Sequence, residues 1–548
     1  MTRAKTFNLA DLLRIAVDTV PEDREALVCA GRRVTFRQLY ERTRKLAGWL
    51  RGQGIGAGDV VGIHAYSSIE FVEATFAAYM LKAIPININY RYTVDEARYI
   101  YGDAQLKGLV YCAPVEDCVA EAIDAAPGLE VLLRIGGGAG GISRAVPFEH
   151  AVATGGGSVE DIELGDDDLV ILYTGGTTGM PKGVMWPHKA FFYAALGGGG
   201  GLSPAGPIKT PEELADRIKT TYPLRVLPCG PLIHGNGMWA TLIGLFGGCT
   251  TVLNDRPDLK AEHILDLTVR ENVSVINVVG DAMVLPMVEA LRAHPGRWDL
   301  SRIVCIPNGG ALLSQHVADA FRAFLPPTAI ILDNMGSSET GSAGSGRKPA
   351  GGGLVQLPPG PTVAVLVDGV RFAQPGETGI LVRMGHLPLG YHGDPRKTAA
   401  TFVTVDGKRC AISGDSARLE ADGSITVFGR DSLCINTGGE KVFTEEVEEV
   451  LRSHESVTDA LVVGVADPRW GQKVVGVVSV RANAPRDGDA LKKHCRRKLA
   501  GYKVPKDVVF VDEVPRGPLG KADYRWARRA AEAALMPACA SQGGNQTW

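Results

Sequence analysis

Apolar positions recur at helical spacing along Thr35 to Arg51, where Phe36, Leu39, Leu46, Ala47 and Leu50 share one side. Glu70 to Leu81 is apolar enough for a mostly buried helix, with Pro85 as its expected stop, and Asp59-Val-Val-Gly-Ile-His between them reads as a short strand. From Asp168 the alternation is clearer. Leu169 to Thr174 is a strand, His188 to Leu196 a helix, Val273 to Val279 a strand, Asp281 to His294 a helix, and Arg302 to Ile306 another strand. Strands alternating with helices predict an α/β fold with a largely parallel, doubly wound sheet.

Between Val355 and Arg430 the pattern changes to short strands with Gly and Pro turns, such as Gly379-Ile-Leu-Val-Arg and Ser424-Ile-Thr-Val-Phe. After Arg430 comes a segment with its own order: a helix from Thr444, strands at Asp459–Val465 and Lys473–Val480, a helix over Asp489–Ala500, and a strand at Asp507–Val511. The expected architecture is a large body with doubly wound β-sheets and a β-rich subdomain over residues 1–429, joined to a small α+β domain over 430–548.

Composition refines this picture. The chain has 548 residues, 45% of them hydrophobic, which supports a large core and excludes a wholly disordered chain. With 58 Lys and Arg against 61 Asp and Glu, a net charge of −3 gives no argument for a nucleic-acid partner. Ten cysteines without a CxxC pair read as buried small hydrophobes in a reducing compartment, so the expected location is cytoplasmic. Gly235 to Asn254 approaches membrane-spanning length, but its five glycines and three threonines favour a buried helix followed by a strand. Sixty-eight glycines exceed the usual share of about 7%. Two glycine-rich stretches read as insertions: Gly136 to Gly157 as loop, and Gly197 to Pro207 as a flexible connector before a short polar helix over Pro211–Lys219.

The segment Tyr173-Thr-Gly-Gly-Thr-Thr-Gly-Met-Pro-Lys-Gly183, directly after a strand, carries the most chemistry. Gly175, Gly176 and Gly179 let backbone N–H groups converge on an anion; Thr174, Thr177 and Thr178 add hydroxyls, and Lys182 a charge. That combination suits a polyphosphate. It is not a Walker loop, because Met-Pro separates Gly179 from Lys182 and no Ser or Thr follows the lysine.

With four further motifs in order, the chain resembles the adenylate-forming superfamily of acyl-CoA synthetases, luciferases and peptide-synthetase adenylation domains. Tyr173 to Gly183 looks like its phosphate loop, with Gly175 where many members have serine. Asn334-Met-Gly-Ser-Ser-Glu-Thr340 is similar to the segment that contacts adenine, phosphate and magnesium. Ser413-Gly-Asp415 resembles the ribose motif, Gly429-Arg-Asp431 the hinge signature, and Pro515 to Lys521 the loop of the catalytic lysine. Singly, each has a plainer reading: a helix cap for Glu339, a surface ion pair for Asp415 and Arg430, an exposed lysine for Lys521.

The resemblance implies ATP, Mg²⁺ and coenzyme A as reactants and cofactor. It implies Glu339 as the magnesium ligand, and Thr174 and Thr340 as phosphate contacts, with Asn334, Met335, Gly336 and Ser337 beside the nucleotide. Asp415 and Arg430 would hold ribose, and Gly309, Gly310 and Ala311 would flank adenine and the acyl group. Lys521 would bridge carboxylate and α-phosphate. His234 occupies a position near the acyl carboxylate, also readable as a core histidine. His234, Met238, Trp239, Val279, Met283 and Gly310 would line an apolar acyl pocket. Gly438 and Gly439, in Asn436-Thr-Gly-Gly-Glu, would lie along the pantetheine arm. Many relatives have a lysine near Asn436, and its absence leaves the local phosphate contacts open. The small domain is implied to be mobile, turning about Asp431 or Ser432 between two half-reactions.

The pattern looks most like actinobacterial fatty-acid CoA ligases acting on long-chain or steroid side-chain carboxylates. Alternatives are a fatty acyl-AMP ligase serving a carrier protein, a luciferase-like oxygenase, and a non-catalytic ATP-binding scaffold. Oligomeric state and peripheral membrane contact stay open.

Overall fold

The structure, a computed structural model, describes residues 5–138, 140–174, 181–201, 205–311, 313–346, 354–430, 435–437, 440–467, 471–499, 501–516 and 522–535; of Thr174, Arg430, Asn436, Glu440, Lys441 and Gly471 only the backbone is described.

Helix starts follow capping as well as apolar spacing. The Thr35 hydroxyl accepts from the Gln38 amide while the Gln38 side chain accepts from the Thr35 amide, and the helix Phe36–Gly52 runs from that box. It packs on the helix Ile69–Met80, capped by Ser68, in which every residue is buried. That helix matches its expected span of Glu70 to Leu81 within a residue, but Pro85 is not what stops it. It ends where Lys82 takes φ 58°, and Pro85 lies inside the strand Ile84–Asn87.

These elements build two large sheets. The first has the order Val146–Pro147, Val131–Ile135, Gly108–Cys112, Val60–His64, Ile84–Asn87, Leu169–Thr174, Lys182–Pro187, Gly390–Tyr391. Its strands are parallel as far as Leu169–Thr174 and antiparallel beyond. Val60–His64 and Gly108–Cys112 are buried at every position, as expected for central strands of a parallel sheet covered on both faces. The second sheet has the order Gly341–Gly346, Ile330–Ser337, Cys305–Gly309, Val275–Asn277, Arg225–Pro228, Thr250–Val252, Glu25–Cys29, Arg32–Thr35, parallel except at its two edges.

An antiparallel sheet over residues 356–430 forms the β-rich part. The C-terminal part is a five-stranded sheet over 435–511, flanked by the helices Thr444–Arg452, Gly488–Arg496 and Tyr524–Leu535. Where the two parts meet, the rings of Phe428 and Phe443 stack at 4.5 Å and 8°. The Gln315 amide donates to Glu449 Oε1 at 3.0 Å across the same junction.

Three expectations change. Gly136 to Gly157 is not all loop: it holds the strand Val146–Pro147 and the helix Phe148–Thr154, anchored by buried Phe148, Ala151 and Val152. The strand expected at Arg302–Ile306 is Cys305–Gly309, because pairing with Ile330–Ser337 carries it through Asn308 and Gly309. The described part of the second glycine-rich stretch is packed. The Ile208 amide bonds Gly198 O at 2.9 Å, and a Cβ on Gly200 would lie 2.7 Å from the Gly206 carbonyl.

Gly235 to Asn254 forms the helix Gly235–Phe246 and the strand Thr250–Val252, and among the described residues no helix is long and apolar enough to cross a membrane. The eight described cysteines are free thiols, six of them buried.

Candidate active site

The strands Ile330–Ser337 and Gly341–Gly346 are joined by a tight turn with Ser338 and Glu339 at its tip. Side-chain hydroxyls close it. Thr340 Oγ1 accepts from the Ser337 amide at 3.0 Å and donates to Gly341 O at 3.0 Å. Ser337 Oγ accepts from the Glu339 and Thr340 amides, both at 3.2 Å. Thr340 is thus buried in the turn. Glycine is required on both sides of it: a Cβ on Gly336 would lie 2.3 Å from Gly341 O, and Gly341 has φ 65° with Ala194 O 2.8 Å from its Cβ direction.

Two long side chains hold this turn from the neighbouring sheets. Trp186 Nε1 donates to Ser338 O at 2.9 Å, and Arg383 Nη1 donates to Thr340 O at 2.8 Å. Burial lowers the Arg383 pKa to about 10, so the guanidinium is still charged at neutral pH. The Glu339 side chain is half-buried, and Tyr391 OH donates to its Oε1 at 3.0 Å. Burial, then the Glu339 carboxylate, raises the Tyr391 pKa, which keeps the phenol protonated as a donor.

Beside the turn, Asn308 ties three segments together. Its Oδ1 accepts from the Gly280 amide at 2.7 Å, while Nδ2 donates to Asp333 Oδ1 at 2.9 Å and Ala311 O at 3.1 Å. Asn236 Nδ2 donates to Gly309 O at 3.0 Å, which brings the start of the helix Gly235–Phe246 to the Gly309–Gly310 turn. Gly309 also faces Asn334: its Cβ direction is 3.5 Å from Asn334 O. Gly310, at φ 91°, faces Val279, and His234 sits half-buried at the cap of the Gly235 helix. Four of the six expected pocket residues fall in two groups. Met238 and Trp239 belong to the core of the first sheet, and Val279 and Met283 to that of the second. Met335 packs on the antiparallel sheet.

On the first sheet, Thr174 pairs with Lys182 across the antiparallel strands. Lys182 Nζ contacts Asp394 Oδ2 closely. That hydrogen bond raises the lysine pKa and lowers that of the carboxyl. Asn87 Nδ2 donates to the carbonyls of Tyr173, at 3.3 Å, and Ile233, so it joins the end of the phosphate-loop strand to the His234 segment. Asp415 and Arg430 are paired across neighbouring antiparallel strands, and the Asp415 amide donates to Ser413 Oγ at 3.0 Å. Gly175, Gly176, Thr177, Thr178, Gly179, Asp431, Ser432, Gly438, Gly439 and Lys521 lie outside the described residues.

The sequence pattern of the AMP-binding enzyme family matches residues 13–392, and that of its C-terminal domain matches residues 446–521. The chain belongs to the AMP-binding enzyme family. Its architecture, a large α/β body and a small C-terminal domain, is that of the adenylate-forming enzymes. It is 40% identical over 540 residues, 95% of each chain, to a 3-oxocholest-4-en-26-oate–CoA ligase of Rhodococcus rhodochrous. It is also 40% identical over 546 residues, 96% of this chain and 98% of the other, to a medium-chain acyl-CoA ligase of Mycobacterium avium. The solved anthranilate CoA ligase with anthranoyl-AMP has the same fold, with TM-score 0.81 at 23% identity over 97% of this chain and 98% of that one. CoA ligases of the AMP-binding family use ATP and CoA.

For this family member the donor set around Glu339 fits magnesium. Mg²⁺ binds through one or two carboxylates while substrate phosphates and waters fill its other positions. Among the described residues Glu339 Oε2 accepts no hydrogen bond, and no cluster of three or more His, Cys, Asp or Glu forms an all-protein metal site. Several residues of this site escaped the sequence reading: Asn87, Trp186, Asn236, Arg383, Tyr391 and Asp394. Of these only Asp394, before Pro395, carried a local signal, that of a helix cap.

Proposed function

We propose that this chain activates a hydrophobic carboxylic acid, a long-chain fatty acid or a steroid side-chain carboxylate, with ATP and transfers it to coenzyme A. A carboxylate oxygen forms a bond to the α-phosphorus as the bond to the β-phosphate oxygen breaks, giving acyl-adenylate and pyrophosphate. The CoA thiolate then forms a bond to the acyl carbon, and AMP leaves with the electron pair of the mixed anhydride. Positioning and charge compensation dominate such transfers. Bound Mg²⁺ would supply a Lewis acid at the phosphate oxygens.

In this reading residues 1–429 are the adenylation body and 430–548 a lid that carries Lys521. Glu339 holds the cation, Lys182 and the 174–179 loop hold phosphates, and Asp415 and Arg430 hold ribose. Lys521 neutralises the charge that builds up between carboxylate and α-phosphate. The lid turns near Asp431 and Ser432, then brings Gly438 and Gly439 to the pantetheine arm. The reaction is cytoplasmic, with the membrane as a possible source of insoluble acid.

The observation that carries the reading is the carboxylate of Glu339, offered at the tip of a rigid turn beside the Gly309–Ala311 segment. The acid class rests on the names of the 40%-identical relatives and on apolar Met238, Trp239, Val279 and Met283. The test is CoA-dependent AMP release with acetate, octanoate, palmitate, benzoate and steroid side-chain acids of two lengths. Lys521→Ala is expected to lower pyrophosphate exchange at least ~100-fold, the scale of losing one transition-state contact. Adenylate formation without acyl-CoA would instead make the protein an acyl-AMP ligase.

A further inference from the structure

The segment Gly390–Asp394 meets two parts of the site that are distant in sequence. Its backbone is zipped onto the strand Lys182–Pro187: Gly390 pairs with Met185, Tyr391 with Val184, and the His392 amide donates to Gly183 O at 2.7 Å. From that fixed backbone Tyr391 and Asp394 reach two different segments. The Tyr391 hydroxyl reaches Glu339, 52 residues away in the chain, and the Asp394 carboxylate reaches Lys182, 212 residues away.

Both side chains have little freedom. The Tyr391 ring is buried, with the Phe402 ring at 6.0 Å and Lys397 Nζ 4.4 Å from its centre. The Tyr391 amide is bonded to Thr398 Oγ1 at 2.9 Å. Asp394 uses Oδ1 to cap the helix Pro395–Thr401 through the Lys397 amide at 2.9 Å, which leaves Oδ2 for Lys182. A carboxylate that accepts one hydrogen bond from a rigid donor keeps a single orientation, with its second oxygen aimed. An ammonium held by a capped carboxylate keeps its place while a polyphosphate approaches.

We propose that Gly390–Asp394 is a positioning segment: Tyr391 aims Glu339 at a divalent cation and Asp394 aims Lys182 at phosphate, so one piece of backbone sets both halves of a cation–nucleotide site. This rests on the reading of Glu339 as cation ligand and Lys182 as phosphate contact. In this reading Tyr391 and Asp394 act through Glu339 and Lys182.

The test measures ATP affinity of the full chain by displacement of a fluorescent ATP analogue, in Mn²⁺ and in EDTA, with Mn²⁺ binding read by its electron paramagnetic resonance. Tyr391→Phe keeps the ring, and Asp394→Asn keeps a good cap. Tyr391→Phe is expected to lose about tenfold of the Mn²⁺-dependent gain in ATP affinity, the scale of one charge-assisted hydrogen bond, while affinity in EDTA stays unchanged. Asp394→Asn is expected to weaken ATP about threefold to tenfold in both conditions. In a Glu339→Gln background, Tyr391→Phe should have no further effect.

The reference variants separate the two kinds of failure. If Glu339→Gln keeps the full Mn²⁺ gain, or Lys182→Ala binds ATP as the parent does, the underlying site reading falls. If those variants behave as expected but Tyr391→Phe keeps the gain, or lowers affinity equally with and without Mn²⁺, the positioning role of Tyr391 is overturned. Unchanged or tighter ATP binding by Asp394→Asn overturns that of Asp394.

Discussion

The large body and the small C-terminal part hold their loops by different means. Around the Glu339 turn, the body supplies single long side chains: Trp186 donates to Ser338 O from the first sheet, which a wide apolar cluster fixes, and Arg383 donates to Ala194 O and Thr340 O from the antiparallel sheet. The C-terminal sheet has only a modest cluster on each face. Between them lies a chain of buried and half-buried charges. Arg452 Nη2 donates to Glu448 Oε2 at 2.9 Å, and its Nε to Asp459 Oδ1 at 3.1 Å. Arg516 grips both oxygens of Asp459 at 2.7 and 2.8 Å, and Tyr524 OH donates to Glu448 Oε2 at 3.1 Å. Burial opposes the charge on Arg452, but Glu448 and Asp459 outweigh it and raise its pKa.

The difference teaches how geometry scales with core size. A body with a deep core needs only a few donors to fix a loop. A small unit buries proportionally less surface, and here a connected polar network adds definition. That network brackets residues 517–521: Arg516 pairs with Ala522 by an isolated antiparallel bridge, and Tyr524 follows two residues later. The described residues on either side of 517–521 thus belong to or adjoin this charge network.

The largest expected effect breaks this contrast where it is strongest. Arg452→Met leaves Glu448 and Asp459 facing each other without that cation. A buried pair that loses one partner is destabilised by about 3–5 kcal/mol. Calorimetry should show the C-terminal part melting well ahead of the body; a single transition shifted as a whole would show the two parts to be one cooperative unit.

Acid is expected to act on the body. His64 and His188 are buried there with pKa values lowered to about 4, chiefly by burial, from an ordinary value of 6.5. Each stays neutral in the fold while the unfolded chain takes up a proton. Stability is therefore full above pH 6.5 and falls as pH drops toward 4. Between pH 7 and 5 each histidine removes about 2 kcal/mol. Denaturant melts of His64→Gln and His188→Gln should show a shallower pH slope than the parent. Trp186→Phe loses the bond to Ser338 O, worth about 1 kcal/mol, and also leaves a cavity where part of a fully buried ring was. It should weaken ATP binding while leaving the C-terminal melting step in place.

Much of the fold was legible because local signals and tertiary context agreed. The strands Leu169–Thr174 and Asp507–Val511 match their expected bounds, both being β-rich runs next to turn residues. The helix Phe36–Gly52 announces itself through Thr35 and Gln38. The helix Phe148–Thr154 was hidden by the glycines around it and by the lack of a side-chain cap. Asn308 and Gly309 have poor strand propensity, yet their pairing with Asp333 and Asn334 makes them strand.

For the site, the motifs that would touch nucleotide are contiguous in sequence and could be read. Their supports could not. Asn236 acts on Gly309, Tyr391 on Glu339 and Asp394 on Lys182, over separations of 73, 52 and 212 residues. Such contacts leave no periodicity or spacing in a single sequence.

The stacked rings of Phe428 and Phe443 give the junction a mechanical character. Such a pair adds about 0.5–1.5 kcal/mol beyond its buried area, only one to a few times thermal energy. Under the proposed reading, in which the C-terminal part turns between half-reactions, a well of that depth would act as a detent: it would mark one resting angle, yet thermal agitation would lift the lid out of it. A deeper notch would make the joint itself the slow step of turnover, and a smooth one would leave the lid without a home position between substrates.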